Sequence, residues 1–384
     1  MPAPVLVQEG DEVISVLVVD DSVVVRRLIV DALSGFPDIR VVGTAPNGRI
    51  ALTKINQLKP DIVTMDIEMP DMDGISAVRA LRKVHRTLPV IMFSTLSVAG
   101  ATATLDALAA GATDYVTKPS NLRSPSEAIK AVREQLVPRI RALAGRGRGT
   151  PSLTRSRPRS SLTPTRPPVT LPPRPTVSAT GRRKIEVIAI GASTGGPDAL
   201  TRVLSALPAE LSIPVVVVQH MPPVFTRMFA ERLDRTVALR VVEAKHEMPI
   251  EPGVVYIAPG DRHLEVAQQG NTRFTRLTTA PPENSCRPAV DVLFRSVSQV
   301  YGAATLAVIL TGMGHDGRRG CEQLRAVGAE VIAQDEASSV VWGMPGAVVE
   351  AGLADAVLPL AEIGAYLASR TTAGWITRPK VVTR

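Results

Sequence analysis

Short runs of Val and Ile alternate with helix-length segments along this chain of 384 residues, and one proline- and arginine-rich stretch interrupts the alternation. That pattern leaves few folds open. Strand, helix and strand in succession close as a parallel pair with a right-handed crossover, and helices then cover both faces of the sheet. Strands buried on both faces need continuous aliphatic runs. Composition agrees: 45% of residues are hydrophobic but only 3% aromatic, so Val, Ile, Leu and Ala must build the cores. The length predicts two or three domains.

In the first half, ISVLVV (14–19), IRVVGTA (39–45), DIVTMD (61–66), PVIMFS (89–94) and DYVTK (114–118) are predicted strands. Ser22 is placed to cap a helix through Leu33, and the last helix of this half is expected over 126–142. From about 145 to 183 periodicity vanishes and Pro, Arg, Ser, Thr and Gly dominate, the composition of a flexible, partly extended linker. From Ile185 the alternation resumes. IEVIAIGAS, PVVVVQH, ATLAVILTGMG and AEVIAQD read as strands, while GVVYIAP and HLEVAQ are expected to pair as a small antiparallel insertion. Residues 373–384 are expected to be a mobile tail.

The formal charge is +8, which raises the question of nucleic acid. Its location answers it. Residues 139–184 hold eleven Arg, one Lys and no acid, whereas residues 1–138 carry 14 basic against 16 acidic side chains. The excess belongs to the linker, so no nucleic-acid partner is expected. Cys286 and Cys321 have no metal spacing and fit reduced thiols. No apolar run approaches a membrane span and the start lacks a signal-peptide pattern. A cytoplasmic monomer without direct membrane insertion is the expectation.

In a parallel α/β sheet, side chains at the carboxyl ends of the strands meet in one crevice. Asp20, Asp21, Asp66, Ser94 and Lys118 all lie at such ends. Three carboxylates in one pocket repel one another unless a cation is present, and a hard divalent ion such as Mg²⁺ meets that need. Phosphoryl transfer requires the same ion. VLVVDDS, MDIEMPDMDGI, PVIMFS and DYVTKP together resemble the receiver domain of two-component response regulators, over residues 14–133. The resemblance implies that Asp66 is the phosphoacceptor and that Asp20, Asp21, Asp66 and the Glu68 backbone hold Mg²⁺. It also implies that Ser94 and Lys118 support the site and that Tyr115 is the aromatic position that tracks activation.

In the second half, GASTG fits the G-x-S-x-G nucleophile pattern at Ser193. The glycines permit a sharp strand-to-helix turn, and the helix N-terminus behind it offers amides to a developing negative charge. His220 ends an apolar strand, and Asp316 follows a strand that ends in a glycine-rich turn. Converged, the three form a triad: Ser193 attacks, His220 takes and returns the proton, and Asp316 orients the imidazole. Backbone amides around Thr194 or Met313 are candidate oxyanion donors. The chain order Ser, His, Asp differs from the Ser, Asp, His order of α/β-hydrolases.

IGASTGGP, VVVVQHMPPVFT, CRPAVDVLF, ILTGMGHDG and WGMPGAV resemble the catalytic domain of chemotaxis protein-glutamate methylesterases. With the receiver in front, the resemblance covers nearly the whole chain. It implies a five-stranded parallel flavodoxin-like receiver (14–133), a helix end and basic linker (134–184), and a doubly wound, mostly parallel α/β catalytic domain (185–372) with a small antiparallel insertion. It further implies a phosphorylation-activated carboxylic ester hydrolase, needing no cofactor for hydrolysis. Such an enzyme demethylates glutamate γ-methyl esters on methyl-accepting chemotaxis receptors, releasing methanol, and deamidates receptor glutamines. A chemotaxis histidine kinase would be the phosphodonor, and Arg287 is a candidate for substrate docking. The unphosphorylated receiver is expected to pack over the mouth containing Ser193. The rival reading is a response regulator with a non-catalytic protein-binding output domain, in which Ser193, His220 and Asp316 would be dispensable.

Overall fold

The computed structural model describes residues 13–119, 124–144 and 184–372. The expectations for 145–183 and 373–384 lie outside the described residues. The first half is a five-stranded sheet of order β2-β1-β3-β4-β5, parallel throughout. Its strands are β1 (Ile14–Val19), β2 (Ile39–Ala45), β3 (Ile62–Asp66), β4 (Val90–Ser94) and β5 (Asp114–Thr117). Helices α1 (Val23–Leu33), α2 (Gly48–Leu58), α3 (Gly74–Val84), α4 (Val98–Ala109) and α5 (Pro125–Ala144) cover the two faces. Polar side chains start four of them: Ser22, Asn47, Asp73 and Ser97 each accept a hydrogen bond from a first-turn amide. Strands β3 and β4 are buried along their whole length, as continuous aliphatic runs require.

The second half is a seven-stranded sheet of order β14-β13-β12-β6-β7-β9-β8, with every pair parallel. In chain order these are β6 (Val187–Ala192), β7 (Val215–Gln219), β8 (Arg240–Glu243), β9 (Val254–Ile257), β12 (Thr305–Ile309), β13 (Glu330–Gln334) and β14 (Ala356–Leu358). A separate antiparallel ribbon joins β10 (His263–Gln269) to β11 (Thr272–Thr278). One expectation is corrected here. GVVYIAP does not pair with HLEVAQ: it forms β9 inside the main sheet, between β7 and β8, and the partner of HLEVAQ is the following run TRFTRLT. A buried aliphatic run and the first strand of a hairpin look alike until the crossover is known. Helices α6 (Gly196–Ser205), α7 (Phe225–Thr236), α8 (Val290–Tyr301), α9 (Arg318–Ala326), α10 (Met344–Glu350) and α11 (Leu360–Thr372) complete this half. Among the described residues no helix is long and apolar enough to cross a membrane.

The halves pack against each other. Tyr115 of β5 stacks on Phe225 of α7, with ring centroids 4.9 Å apart and planes 4° from parallel. Arg232 of α7 pairs with Asp106 of α4 at 2.5 Å, and Asp114 of β5 accepts from the Thr194 hydroxyl at 2.8 Å.

Within the second half, one glycine sets how closely a helix approaches the sheet. A Cβ on Gly191 of β6 would lie 2.5 Å from Cγ1 of Val290, the first residue of α8. The missing side chain lets the N-terminus of α8 rest on the sheet. Overpacking of this kind costs about 1–3 kcal/mol. Gly191→Ala is therefore expected to lower the unfolding free energy by that amount, read as a lower denaturant midpoint with the m-value unchanged.

Candidate active site and phosphoacceptor crevice

Three adjacent strands at the centre of the large sheet carry the candidate triad. Strand β6 runs into Ser193, β7 into His220, and β12 into the turn that ends at Asp316. The turn after β6 is tight. Gly195 has φ +77°, and a Cβ on Gly196 would lie 1.9 Å from Oε1 of Gln219. Gln219 in turn donates from Nε2 to the Ser193 carbonyl at 2.9 Å, and the Ser193 amide donates to the Thr311 carbonyl at 3.0 Å. The backbone of Ser193 is thus held from the ends of two neighbouring strands.

His220 Nε2 lies 2.8 Å from Asp316 Oδ2. Asp316 is only 2% exposed. Its Oδ2 also accepts from the Val290 amide at 2.6 Å, and its Oδ1 accepts from the amides of Asp291 (3.1 Å) and Gly317 (3.0 Å). Burial pushes its carboxyl up, but the His220 contact and these amides outweigh burial and leave it below the usual carboxylate range. Burial pulls the His220 imidazole down, yet hydrogen bonds to Asp316 and Cys286 carry it up to about 10. Nδ1 of His220 is the nitrogen that remains for Ser193, and in this state its neighbour is Cys286 Sγ at 3.6 Å. Ser193 Oγ makes no hydrogen bond to His220 among the described residues.

Ser193, Thr194, Gln219 and His220 line one cavity of about 470 Å³, with Cys286 and Arg287 on its wall. Receiver residues close the same cavity, among them Asp114, Tyr115 and Arg139. Asp114 links the two sides, since its Oδ2 accepts both from Thr194 and, at 3.1 Å, from Nε of Arg139. Of the candidate oxyanion residues, Thr194 lines the cavity. Met313 does not; it packs with Val340 against an apolar cluster that joins Val341 to Leu136 and Val137 of α5. Arg287 is at the rim, but its guanidinium is held by Asp261 at 2.5 Å and by the carbonyls of Thr279 and Ala280.

The receiver crevice also assembles. Single carboxylate oxygens of Asp20, Asp21 and Asp66 lie within 4.8 Å of one another. Lys118 Nζ is 2.8 Å from Asp66 and 3.2 Å from Asp20. Asp20 Oδ2 is buried with no well-formed hydrogen bond, the condition a hard cation would relieve. Burial, and then the Asp66 charge, push Asp20 up to about 6 against the opposing pull of Lys118. Asp66 and Glu68 both line the crevice mouth with Asp21, Ser94 and Lys118. The Ser94 hydroxyl points into α4, donating to Gly100 O at 3.1 Å and accepting from Thr104 at 2.6 Å.

Sequence reasoning missed Gln219, Asp114 and Cys286 at the active site. Each is next to a residue it singled out, but only the crossover geometry turns them inward. His263 is buried at the start of β10 and accepts from the Ala289 amide.

The CheB methylesterase family pattern matches residues 188–367, and the response regulator receiver domain pattern matches residues 16–130. A protein-glutamate methylesterase/protein-glutamine glutaminase of Nocardioides sp. is 56% identical over 365 residues, spanning 93% of this chain and 95% of its own. Proteins of the same name from Trichodesmium erythraeum and Azospirillum brasilense are 48% and 45% identical, spanning 92% and 93% of this chain and 98% and 93% of their own. Matched at this level along nearly its full length, the chain belongs to the protein-glutamate methylesterase/protein-glutamine glutaminase family, a receiver joined to a CheB methylesterase domain.

Proposed function

We propose that this protein is a phosphorylation-activated serine hydrolase of chemotaxis adaptation. It removes the methyl group from glutamate γ-methyl esters of methyl-accepting receptors and deamidates receptor glutamines. The observation that carries the reading is the convergence of Ser193 with the His220–Asp316 pair in a cavity that the receiver closes. The working units are residues 14–133 and 185–372, joined by 134–184, and the protein acts as a monomer in the cytoplasm.

Ser193 Oγ attacks the ester carbonyl while Nδ1 of His220 takes its proton. The oxyanion is held by the amide at Thr194, which lines the cavity. The proton returns to the departing methoxide, methanol leaves, and the acyl-enzyme is hydrolysed by water with the same base. With glutamine the leaving group is ammonia, so one triad serves both reactions. Arg287 guides the acidic receptor surface toward the cavity. In the docked state the receiver blocks the mouth, and this is the obstacle that activation removes. Phosphorylation of Asp66 by a chemotaxis histidine kinase adds charge beside Lys118, and Ser94 and Tyr115 carry the change to the interface. Asp20, Asp21, Asp66 and the Glu68 carbonyl are the residues that would hold Mg²⁺, which would neutralise charge on the transferred phosphoryl group.

Ser193→Ala is expected to lower methanol release from a methylated receptor fragment by at least about 10³-fold. Phosphorylation of Asp66 should be unaffected in that variant. Near-normal turnover would transfer the protein to the rival class of non-catalytic output domains.

Stacking of Tyr115 on Phe225 contributes about 0.5–1.5 kcal/mol. Tyr115→Ala should therefore raise unphosphorylated turnover roughly two- to tenfold and shrink the stimulation by a phosphodonor. Deleting residues 1–180 should abolish that stimulation. Equal activity of the full and truncated chains, with and without phosphodonor, would rule out obstruction by the receiver.

Asp20 supplies a pH signature. Its pKa is raised in the folded protein, so its contribution to stability is fully present below about pH 3.8 and is lost as pH rises through about 6. Mg²⁺ offsets that loss. The rise in Tm on adding Mg²⁺ should be large at pH 7.5 and nearly absent at pH 5, and an equal rise at both would exclude Asp20 as a ligand.

A further inference from the structure

One side chain joins the triad carboxylate to a second buried acid. Asn284 Nδ2 donates to Asp316 Oδ1 at 2.9 Å and to Asp291 Oδ2 at 3.0 Å. Asp291 is fully buried, and its other oxygen accepts from the Gly320 amide at 2.7 Å. Two carboxylates sharing a buried pocket raise each other's proton affinity unless donors stand between them. An amide NH₂ with two hydrogens is suited to that task, because it offers one to each acid and brings no charge.

The turn that carries Asn284 is built to hold it there. Asn284 and the following Ser285 both have left-handed backbones, with φ +50° and +62°. Glu283 and Cys286 close the turn with reciprocal amide–carbonyl hydrogen bonds of 3.1 and 2.8 Å. Glu283 pairs with Arg295 of α8, which ties the turn to the helix that holds Asp291. The same four residues place Cys286 against the imidazole. One turn therefore grips both ends of the His220–Asp316 pair.

We propose that Asn284 is a positioning residue of the hydrolytic reaction, which keeps Asp316 ionised and aimed at His220 by bridging it to Asp291. The inference rests on the triad reading given above. The titratable groups that face Asp316 are His220 at the end of β7, Glu283 in the turn and Asp291 on α8; behind them, Cys286 lies against His220, Arg295 and His263 act on Glu283, and Cys321 lies near Asp291. Of these, Asp291 is the anion bridged directly to Asp316.

The test uses the full chain, phosphorylated with a small-molecule phosphodonor, on a methylated receptor fragment. Asn284→Ala should lower kcat about ten- to a hundredfold, as expected when a charged group loses a donor, with KM nearly unchanged. It should also move the acid limb of kcat/KM about one unit to higher pH, because the unbridged pair takes up a proton more readily. Asn284→Ser retains one hydroxyl donor and should fall between wild type and Ala, which keeps the test informative if the Ala variant folds poorly. Asp291→Asn alone should also be impaired, since two amides then face each other. Combined with Asn284→Ala it should restore at least tenfold of the lost activity, because the new amide can donate to Asp316 and the repulsion is gone. A role limited to shaping the turn predicts no such rescue. An unmoved acid limb in Asn284→Ala, or losses that simply multiply in the double variant, would overturn the proposal. Ser193→Ala separates the two readings: if it is inactive while Asn284→Ala behaves as wild type, only the role of Asn284 falls.

Discussion

Helix α8 has no cap from its own sequence, because Ala289 precedes it and offers no side-chain acceptor. Asp316 supplies the cap from another part of the chain, taking the amides of Val290 and Asp291. An acceptor at a helix start stabilises it by about 0.5–2 kcal/mol, and the positive end of the helix favours the ionised carboxylate. One side chain thus closes a helix end and fixes the orientation of His220. The rest of the site follows from that contact. It requires α8 to approach β6 closely, which Gly191 permits, and it requires the turn after β12 to deliver Asp316 beneath the helix, where Gly317 has φ +93°.

This coupling ties one side of the site to the catalytic half, while the other side is built by the receiver. Asp316, His220 and the backbone of Ser193 are tied to strands, helix ends and buried amides. The opposite wall belongs to the receiver, whose contacts include the Tyr115–Phe225 stack, the Arg232–Asp106 ion pair, the Thr194–Asp114 hydrogen bond and the apolar packing of Met313, Val340 and Val341 with Leu136 and Val137. Partly exposed ion pairs contribute little to stability. The Asp316–His220 pair makes its hydrogen bonds within the catalytic half, whereas Thr194 makes one to the receiver.

Much of this was legible in the sequence because strand ends mark function in parallel sheets. Aliphatic runs located the strands, and the polar residues that ended them, Asp66, Lys118, Ser193 and His220, lie where topology requires. The limits were equally physical. GVVYIAP was misassigned because a buried parallel strand has no alternation to distinguish it from a hairpin arm. Met313 was named for its place in a glycine-rich turn, yet its packing against the receiver depends on docking that no local pattern encodes. Asn284 went unnoticed because a lone Asn in a turn is ordinarily there for its backbone. Its bond to Asp316 spans 32 residues and exists only once α8 is seated.

The Oδ2 atom of Asp114 holds two donors from different bodies, Arg139 from the receiver's last helix and Thr194 from beside the nucleophile. A carboxylate oxygen can serve both only while helix, strand and catalytic loop keep one relative placement. Movement of α5 is consequently geared to Thr194 through an atom that belongs to neither. A displacement of α5 that moves Arg139 takes one donor from Asp114 Oδ2 and leaves Thr194 as the remaining one, so the charge balance beside Ser193 depends on where the receiver's last helix lies.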